Sequence, residues 1–157
     1  MRVGVISDTH GLLRPEVFEV FRRVDHILHA GDLGKLEILS DLEAIAPVTA
    51  VFGNADPPEL RSRLPQVATL ELDGFEIVVT HGDQFGHPTP AKLHEAFPRA
   101  EIIVYGHTHK PLLDLVDKTV TVMNPGGAGR PRFDLKPSVG IMELEAGIPP
   151  RARLVPL

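Results

Sequence analysis

The sequence predicts an α/β protein in which two packed β-sheets carry helices on their outer faces. Three observations support this. The first third of the chain alternates short Val- and Ile-rich runs of strand length with amphipathic helical segments. Many further strands follow, with helices in both halves of the chain. No internal repeat, low-complexity tract or linker divides the 157 residues, so 1–157 is read as a single domain large enough for a real core.

Arg2 to Ile6 reads as a strand buried on both faces, ending in Ser7-Asp8-Thr9-His10-Gly11. Pro15 then suits a first helical turn, and Val17, Phe18, Val20, Phe21 and Val24 recur at helical spacing. A second strand, Asp25 to His29, ends in Gly31-Asp32. A second helix covers about Lys35 to Ala44, and a third strand, Val48 to Phe52, ends in Gly53-Asn54. Such a βαβαβ opening implies a parallel sheet. Asp56-Pro57-Pro58 reads as loop. Asp73-Gly74, between Val67–Leu72 and Phe75–Thr80, is the best hairpin signal in the chain, and the second of these strands ends in His81-Gly82-Asp83. Gln84 to Pro88 is expected as loop and about Pro90 to Phe97 as helix. Glu101 to Tyr105 is expected as a strand ending in Gly106-His107. Leu112–Val116, Thr119–Met123, Val139–Glu145 and Arg151–Leu154 complete the strands, with a Gly/Pro loop from Asn124 to Pro131.

Composition narrows the chemistry. A hydrophobic content of 43% and a charged content of 24% are those of a soluble globular protein. Without cysteine there are no disulfides, thiolate nucleophiles or cysteine-held metals, so any metal must be bound through nitrogen and oxygen. The net charge of -5 lacks the basic bias of a nucleic-acid binder, and no stable nucleic-acid binding is expected. The first apolar run is too short for a signal peptide and no stretch is long enough to span a bilayer, so a cytoplasmic protein without membrane association is expected. A homo-oligomer is compatible with the sequence. Fifteen prolines, with arginine outnumbering lysine, fit either a thermophile or mere genome composition.

The chemistry gathers at strand ends. Ligands in open α/β sheets bind at the carboxyl ends of strands. Here five such ends carry Asp8 and His10, Asp32, Asn54, His81, and His107 and His109. In Asp8-Thr9-His10 and His107-Thr108-His109 the donors stand two apart, so on an extended chain each pair points one way. These seven donors suffice for two ions if Asp32 serves both, since a carboxylate can offer one oxygen to each. Imidazole, carboxylate and amide oxygen together suit Mn, Fe, Zn, Co or Ni better than Mg or Ca, with Mn placed first. Asp32, Asn54 and His81 are assigned catalytic as well as ligating roles.

The ordered set Asp-x-His, Gly-Asp, Gly-Asn, His-Gly-Asp and Gly-His-x-His resembles the calcineurin-like metallophosphoesterases. Within them it is most similar to the small bacterial and archaeal phosphodiesterases whose eukaryotic relative is the retromer subunit Vps29. The resemblance spans nearly the whole chain. It implies a four-layer α/β/β/α sandwich of two mixed sheets flanked by helices, and a dinuclear site hydrolysing phosphate esters. It also implies that Asp8, His10, Asp32 and His109 serve one ion, and Asp32, Asn54, His81 and His107 the other. Many larger members carry a histidine after the motif asparagine, able to protonate the leaving group. Here Ala55 stands there, followed by Asp56, which fits the small branch and implies a preference for good leaving groups. Asn124-Pro125-Gly126-Gly127 resembles the family's Asn-Pro-Gly-Ser loop, with Gly127 in place of serine and no role assigned to it.

The expected reaction is therefore hydrolysis of a small phosphodiester by a hydroxide activated between two metals. Two divalent ions balanced by Asp8, Asp32 and a hydroxide leave the site slightly positive, which a diester monoanion neutralises and a monoester dianion overshoots. A phosphomonoesterase using the same site, and a Vps29-like interaction scaffold with little catalysis, are the alternatives. The His-x-His pair also opens the sites of barrel amidohydrolases, but those barrels need roughly 200 residues or more and place the pair early. The metallo-β-lactamase pattern requires an Asp-His where Lys110-Pro111 stands. Among the remaining residues, His26 and His94 are read as surface or helix positions, His29 as a structural strand residue, and Asp83 as a turn or supporting group. His87 and Asp56 are weaker candidates for substrate contact or acid. Arg130 and Arg132 are read as loop decoration rather than a phosphate clamp, and the substrate-binding residues are left open.

Overall fold

The computed structural model describes residues 1–157. Ten strands form two five-stranded mixed sheets. The first contains β1 (Arg2–Ile6), β2 (His26–His29), β3 (Val48–Ala50), β9 (Ser138–Glu145) and β10 (Ile148–Pro156), in the order β10-β9-β1-β2-β3. The second contains β4 (Val67–Leu72), β5 (Phe75–Thr80), β6 (Ile102–Val104), β7 (Leu112–Val116) and β8 (Val120–Asn124), in the order β4-β5-β6-β8-β7. As the opening pattern predicts, β1, β2 and β3 are parallel neighbours. In the second sheet β5, β6 and β8 are parallel.

Strand periodicity explains the layering. Successive side chains leave a strand on opposite faces. Val3, Val5, Leu28, Ile77, Val79, Ile102, Val104 and Met142 therefore meet in one apolar layer between the sheets. Their neighbours turn outward: Ile6, Ile27, Val139 and Ile141 lie under helices α1 (Pro15–Val20), α2 (Leu36–Glu43) and α3 (Pro58–Arg61). On the other side Val78, Ile103 and Val122 lie under α4 (Pro90–Ala96) through Leu93. The result is the four-layer α/β/β/α sandwich of the resemblance. No helix is long and apolar enough to cross a membrane.

Element limits depart from expectation where backbone chemistry intervenes. Helix α1 ends at Val20, and Phe21 and Val24 reach the core from the turns that follow it. The loop expected around Asp56-Pro57-Pro58 contains α3, because Pro58 at its first turn has φ already set for helix. A single 3-10 turn, Asp83–Phe85, interrupts the loop after β5. The last strand runs from Ile148 rather than Arg151, with a bulge between those residues. Pro149 and Pro150 lack N–H groups, and an edge strand is where a sheet accommodates them. The Asp73-Gly74 hairpin has φ of 47° and 87°, the doubly left-handed turn that this dipeptide favours.

Phe21 locks α1 to β1: its ring is fully buried, 2.9 Å from where a side chain on Gly4 would begin. Phe21→Ala should lower unfolding free energy by about 3–5 kcal/mol, read as a fall in urea midpoint at unchanged slope.

Candidate metal centre

The carboxyl ends of β1, β2, β3, β5 and β6 open onto one edge of the sandwich, and their loops are bonded to each other by backbone. The Asp8 and His10 amides donate to Gly31 and Asp32 carbonyls, both at 3.0 Å, and Gly106 N–H donates to His81 C=O at 3.1 Å. Five of the seven candidate donors have left-handed backbone: Asp8 (φ 55°), His10 (46°), Asp32 (55°), His107 (71°) and His109 (60°). Such conformations cost about 1–3 kcal/mol each and cluster where function requires them. Asp and His tolerate them better than bulky or β-branched residues do.

Two glycines make the convergence sterically feasible. A Cβ on Gly53 would run into the Asp32 carboxylate, and one on Gly106 into the Ser7 hydroxyl and Asp8 Oδ2. These positions are glycine because polar side chains of the site occupy the space.

Asp8, His10, Asp32, His81 and His109 come together. Two overlapping triads, Asp8/His10/His109 and Asp8/Asp32/His81, each keep their donor atoms within 4.8 Å of one another. His109 Nε2 lies 3.3 Å and His10 Nε2 3.7 Å from Asp8 Oδ1. Asp32 Oδ2 stands 3.2 Å from His81 Nε2 and 3.7 Å from His10 Nε2, so it faces both triads. The His10 and His109 Nε2 atoms approach to 3.3 Å. Donors bound at about 2.0–2.2 Å to one ion lie roughly 3–3.5 Å from each other, so the spacing fits. Asn54 and His107 sit at the open rim, paired with each other at 3.2 Å between Oδ1 and Nδ1.

Two orphaned atoms add to that fit. Asp8 Oδ1 and His81 Nε2 are buried with no hydrogen-bond partner. His81 donates from Nδ1 to the Ala30 carbonyl at 2.7 Å, which leaves the Nε2 lone pair of the neutral ring facing the aspartates. Asp8 Oδ2 is already committed, to Ser7 Oγ at 2.7 Å and His107 N–H at 3.2 Å. A cation between these groups satisfies both orphans.

Electrostatics agree. Burial pushes the Asp8 carboxyl upward, but the close imidazoles of His10, His109 and His81 outweigh it and hold it far below the usual carboxylate range. Asp32 is lowered in the same way, against burial, by His81 and the Ala55 N–H. His10 is raised by its contact with Asp8. Burial lowers His81, yet the closeness of the Asp32 carboxylate and the negative charge of Asp8 bring it up to about 9.

His29 is the structural strand residue that the sequence suggested, and Asn124 and Gly127 add support that the sequence did not assign. His29, fully buried, is pushed down to about 3 by burial and stays neutral. Its Nδ1 accepts from Gly31 N–H at 3.1 Å, so Nε2–H donates to Thr9 Oγ1 at 3.1 Å, and that hydroxyl donates to Leu33 C=O at 3.0 Å. One tautomer thus ties the Asp8 loop to the Asp32 loop. Asn124 donates to Gly106 C=O and Thr108 Oγ1, both at 3.0 Å, and accepts from Gly126 N–H, which fixes the loop carrying His107 and His109. The sequence marked Asn124 only as the start of a Gly/Pro loop, in the Asn124-Pro125-Gly126-Gly127 run. Gly127 matters too, since a Cβ there would begin 2.7 Å from His109 Nδ1.

The structure places the remaining candidates as follows. Asp56 faces inward, accepting from Gly34 and Gly53 N–H, both at 2.8 Å, so its carboxylate is spent on loop structure. His26 lies in β2, half-buried and bonded to Thr49 Oγ1 at 2.8 Å. His94 is on α4 beside Asp117, as expected of a surface helix position. His87 is an exposed loop residue whose carbonyl accepts from Lys92 Nζ. Asp83 opens the 3-10 turn. Arg130 and Arg132, read as decoration, line a cavity that also touches His10 and His109.

A two-sheet sandwich with buried histidines and carboxylates at converging strand ends defines the metallophosphoesterase class of α/β fold. Comparisons give the same result: the model of the calcineurin-like phosphoesterase superfamily domain matches residues 1–147, and the chain belongs to that family. A probable metallophosphoesterase of Methanothermobacter thermautotrophicus is 36% identical over 152 residues, 92% of this chain and 87% of the relative. A solved archaeal phosphodiesterase is 25% identical with a TM-score of 0.82, each chain covered completely. Vps29 from Entamoeba histolytica shares the fold at 24% identity and a TM-score of 0.78, covering 100% of this chain and 99% of its own. The similarity places the chain in the small branch that these two structures represent.

The titrations give opposite limbs. His81, raised from 6.5 to about 9 in the fold, stabilises metal-free protein below pH 6.5, and that contribution is lost as pH climbs through about 9. His29, lowered from 6.5 to about 3, stabilises above pH 6.5 and fails as pH falls toward about 3. The thermal midpoint of chelated protein should decline on both sides of neutrality, and His81→Ala should flatten the alkaline limb. An unchanged limb in that variant contradicts the assignment.

Proposed function

We propose that this chain is a metal-dependent phosphodiesterase working on small diesters with two divalent transition-metal ions, Mn foremost. Its seven donors would be Asp8, His10, Asp32, Asn54, His81, His107 and His109, with Asp32 serving both ions. When bound, the ions supply Lewis acidity toward a phosphoryl oxygen and lower the pKa of water. The observation that carries this reading is the pair of buried, unpartnered atoms, Asp8 Oδ1 and His81 Nε2, facing each other at 3.9 Å within a cluster of carboxylates and imidazoles.

The chain's own groups have separable tasks. Asp8 and Asp32 carry the negative charge that retains cations. His81, oriented by the Ala30 carbonyl, offers a fixed nitrogen lone pair once deprotonated. Asn54 and His107, at the accessible rim, stand where a phosphate would enter. After Asn54 comes Ala55, whose N–H is given to Asp32 Oδ1 at 2.9 Å, and then the inward-facing Asp56. That loop has no side chain free to protonate a departing alkoxide, which favours aryl and other good leaving groups over alkyl ones. The likeness to an archaeal phosphodiesterase supports the diester over the monoester reading of the same site.

The Vps29-like scaffold reading has one observation of its own. Exposed Leu115 and Ile148 line a separate cavity of about 570 Å³ that includes no residue of the donor cluster. The intact donor set weighs against it, since a scaffold has no use for buried orphaned ligand atoms.

Purified protein, stripped with chelator and given back Mn, Ni, Zn or Mg, should recover hydrolysis of bis(p-nitrophenyl) phosphate. Asp32→Asn and His81→Ala should each reduce that rate by about 10²–10³-fold or more while keeping the circular-dichroism spectrum. Full activity in either variant removes the hydrolytic assignment, and metal uptake without ester hydrolysis favours the scaffold.

A further inference from the structure

Beside the donor cluster lies a cavity of about 690 Å³ lined by His10, Gly11, Leu12, Lys35, His109, Arg130, Pro131 and Arg132. Its size is that of a small-molecule site. Three basic side chains line it, and none of its lining residues is acidic. This runs against the chain as a whole, which has 21 acidic and 16 basic residues. The positive charge is therefore local, and it adjoins the two histidines of the outer triad.

The wall is built rather than loosely draped. Ala128 N–H donates to Ser7 C=O at 3.0 Å and Gly129 N–H to Asp8 C=O at 3.3 Å, while Arg14 Nε donates to Gly129 C=O at 3.0 Å. Arg130 thus leaves a segment fastened to the backbone of a ligating loop. Arg132 begins a turn closed by Leu135 N–H to Arg132 C=O at 3.0 Å. Lys35 lies along Gly11, its Cε 3.1 Å from where a Cβ on that glycine would be. Gly11 keeps this floor low, since any side chain there would press on the lysine stem.

The scissile phosphate of a diester has one negative charge, and on the proposed reading that charge is met by the metals. Lys35, Arg130 and Arg132 lie beyond them and would face whatever the diester carries next. We propose that the substrate is a phosphodiester bearing a second anionic group, a phosphate foremost, and that Lys35, Arg130 and Arg132 bind it. Guanidinium groups favour a phosphate because their paired N–H donors match two of its oxygens. The size of the cavity and the net charge of -5 on the chain favour a small bisphosphorylated molecule over a polymer, which would need a longer basic track.

This inference rests on the hydrolase reading, and its test separates the two. Two matched probes are used with the Mn-loaded full chain: thymidine 5'-(p-nitrophenyl phosphate), and the same diester with an added 3'-phosphate. The 3'-phosphate should raise kcat/KM by roughly ten- to hundredfold, mainly through KM. In Arg130→Ala/Arg132→Ala that ratio should fall toward one, and in Arg132→Glu below its wild-type value. A wild-type ratio near one, or a ratio unchanged in both variants, overturns the proposal. If neither diester is hydrolysed the hydrolase reading has failed, and titration calorimetry with metal-free protein decides the pocket separately. Thymidine 3',5'-bisphosphate should bind at least about tenfold more tightly than thymidine 5'-monophosphate, with the preference lost in the double variant. Equal affinities for the two nucleotides overturn it.

Discussion

Two carboxylates buried a few ångströms apart need positive charge between them. Asp8 and Asp32 end adjacent parallel strands, so the β1–β2 pairing that builds the first sheet also forces their charges together. A buried ionised carboxylate without a partner is costly, and two amplify each other. The molecule meets this in part with hydrogen bonds from Ser7, the Ala55 N–H and the His107 N–H, and with His81, which takes up a proton when nothing else is present. Those donors still leave Asp8 Oδ1 bare. Much of the surrounding structure follows from holding this charge in place: the left-handed donor residues, glycines where Asp32 and Ser7 need room, and a neutral His29 bracing two loops.

The sequence made the strands and their endings legible because each is encoded locally. Alternation of Val, Ile and polar residues sets a strand's faces, and Asp73-Gly74 fixes one hairpin through its own dihedral preference. Strand-end donors could be recognised because their order along the chain is itself the signature. What stayed hidden depends on partners across space. Asp56 looks like an available acid in sequence, yet the amides of distant Gly34 and of Gly53 in its own loop claim it. Asn124 looks like a turn residue, yet it clamps the His107–His109 loop from another strand. Arg130 and Arg132 look like decoration until the bonds from residues 128 and 129 to β1's end bring them beside His10. The bulge at Pro149-Pro150 shows the same limit: proline marks a defect in the ladder, but the partner strand decides that pairing resumes beyond it.

The donor cluster is unevenly exposed, and this bears on its chemistry. The Asp8 and His81 side chains are fully buried and that of Asp32 is 5% exposed, whereas that of His10 is 31% exposed. Asn54 and His107 also lie toward solvent. The inner groups are over-determined by backbone bonds and packing, so their geometry is set before any ligand arrives, which is what electrostatic preorganisation requires. Reacting groups must enter and leave by the outer side.

That outer side is bordered by two loops of different construction. One, after Asn54, is tied down by Arg61 to the Asn54 and Asp56 carbonyls and presents no acid. The other, residues 128–135, is fastened only at its base, and there it places cations on the cavity wall. Its anchor bonds engage backbone atoms of Ser7 and Asp8, so its side chains beyond Gly129 can change without breaking those bonds. A metal centre shared across a family requires a fixed interior, and discrimination among esters requires a variable rim. In this chain the two requirements meet at the peptide joining Gly129 to Arg130: before it the loop is bonded to the backbone beside the donor cluster, and after it the side chains line the neighbouring cavity.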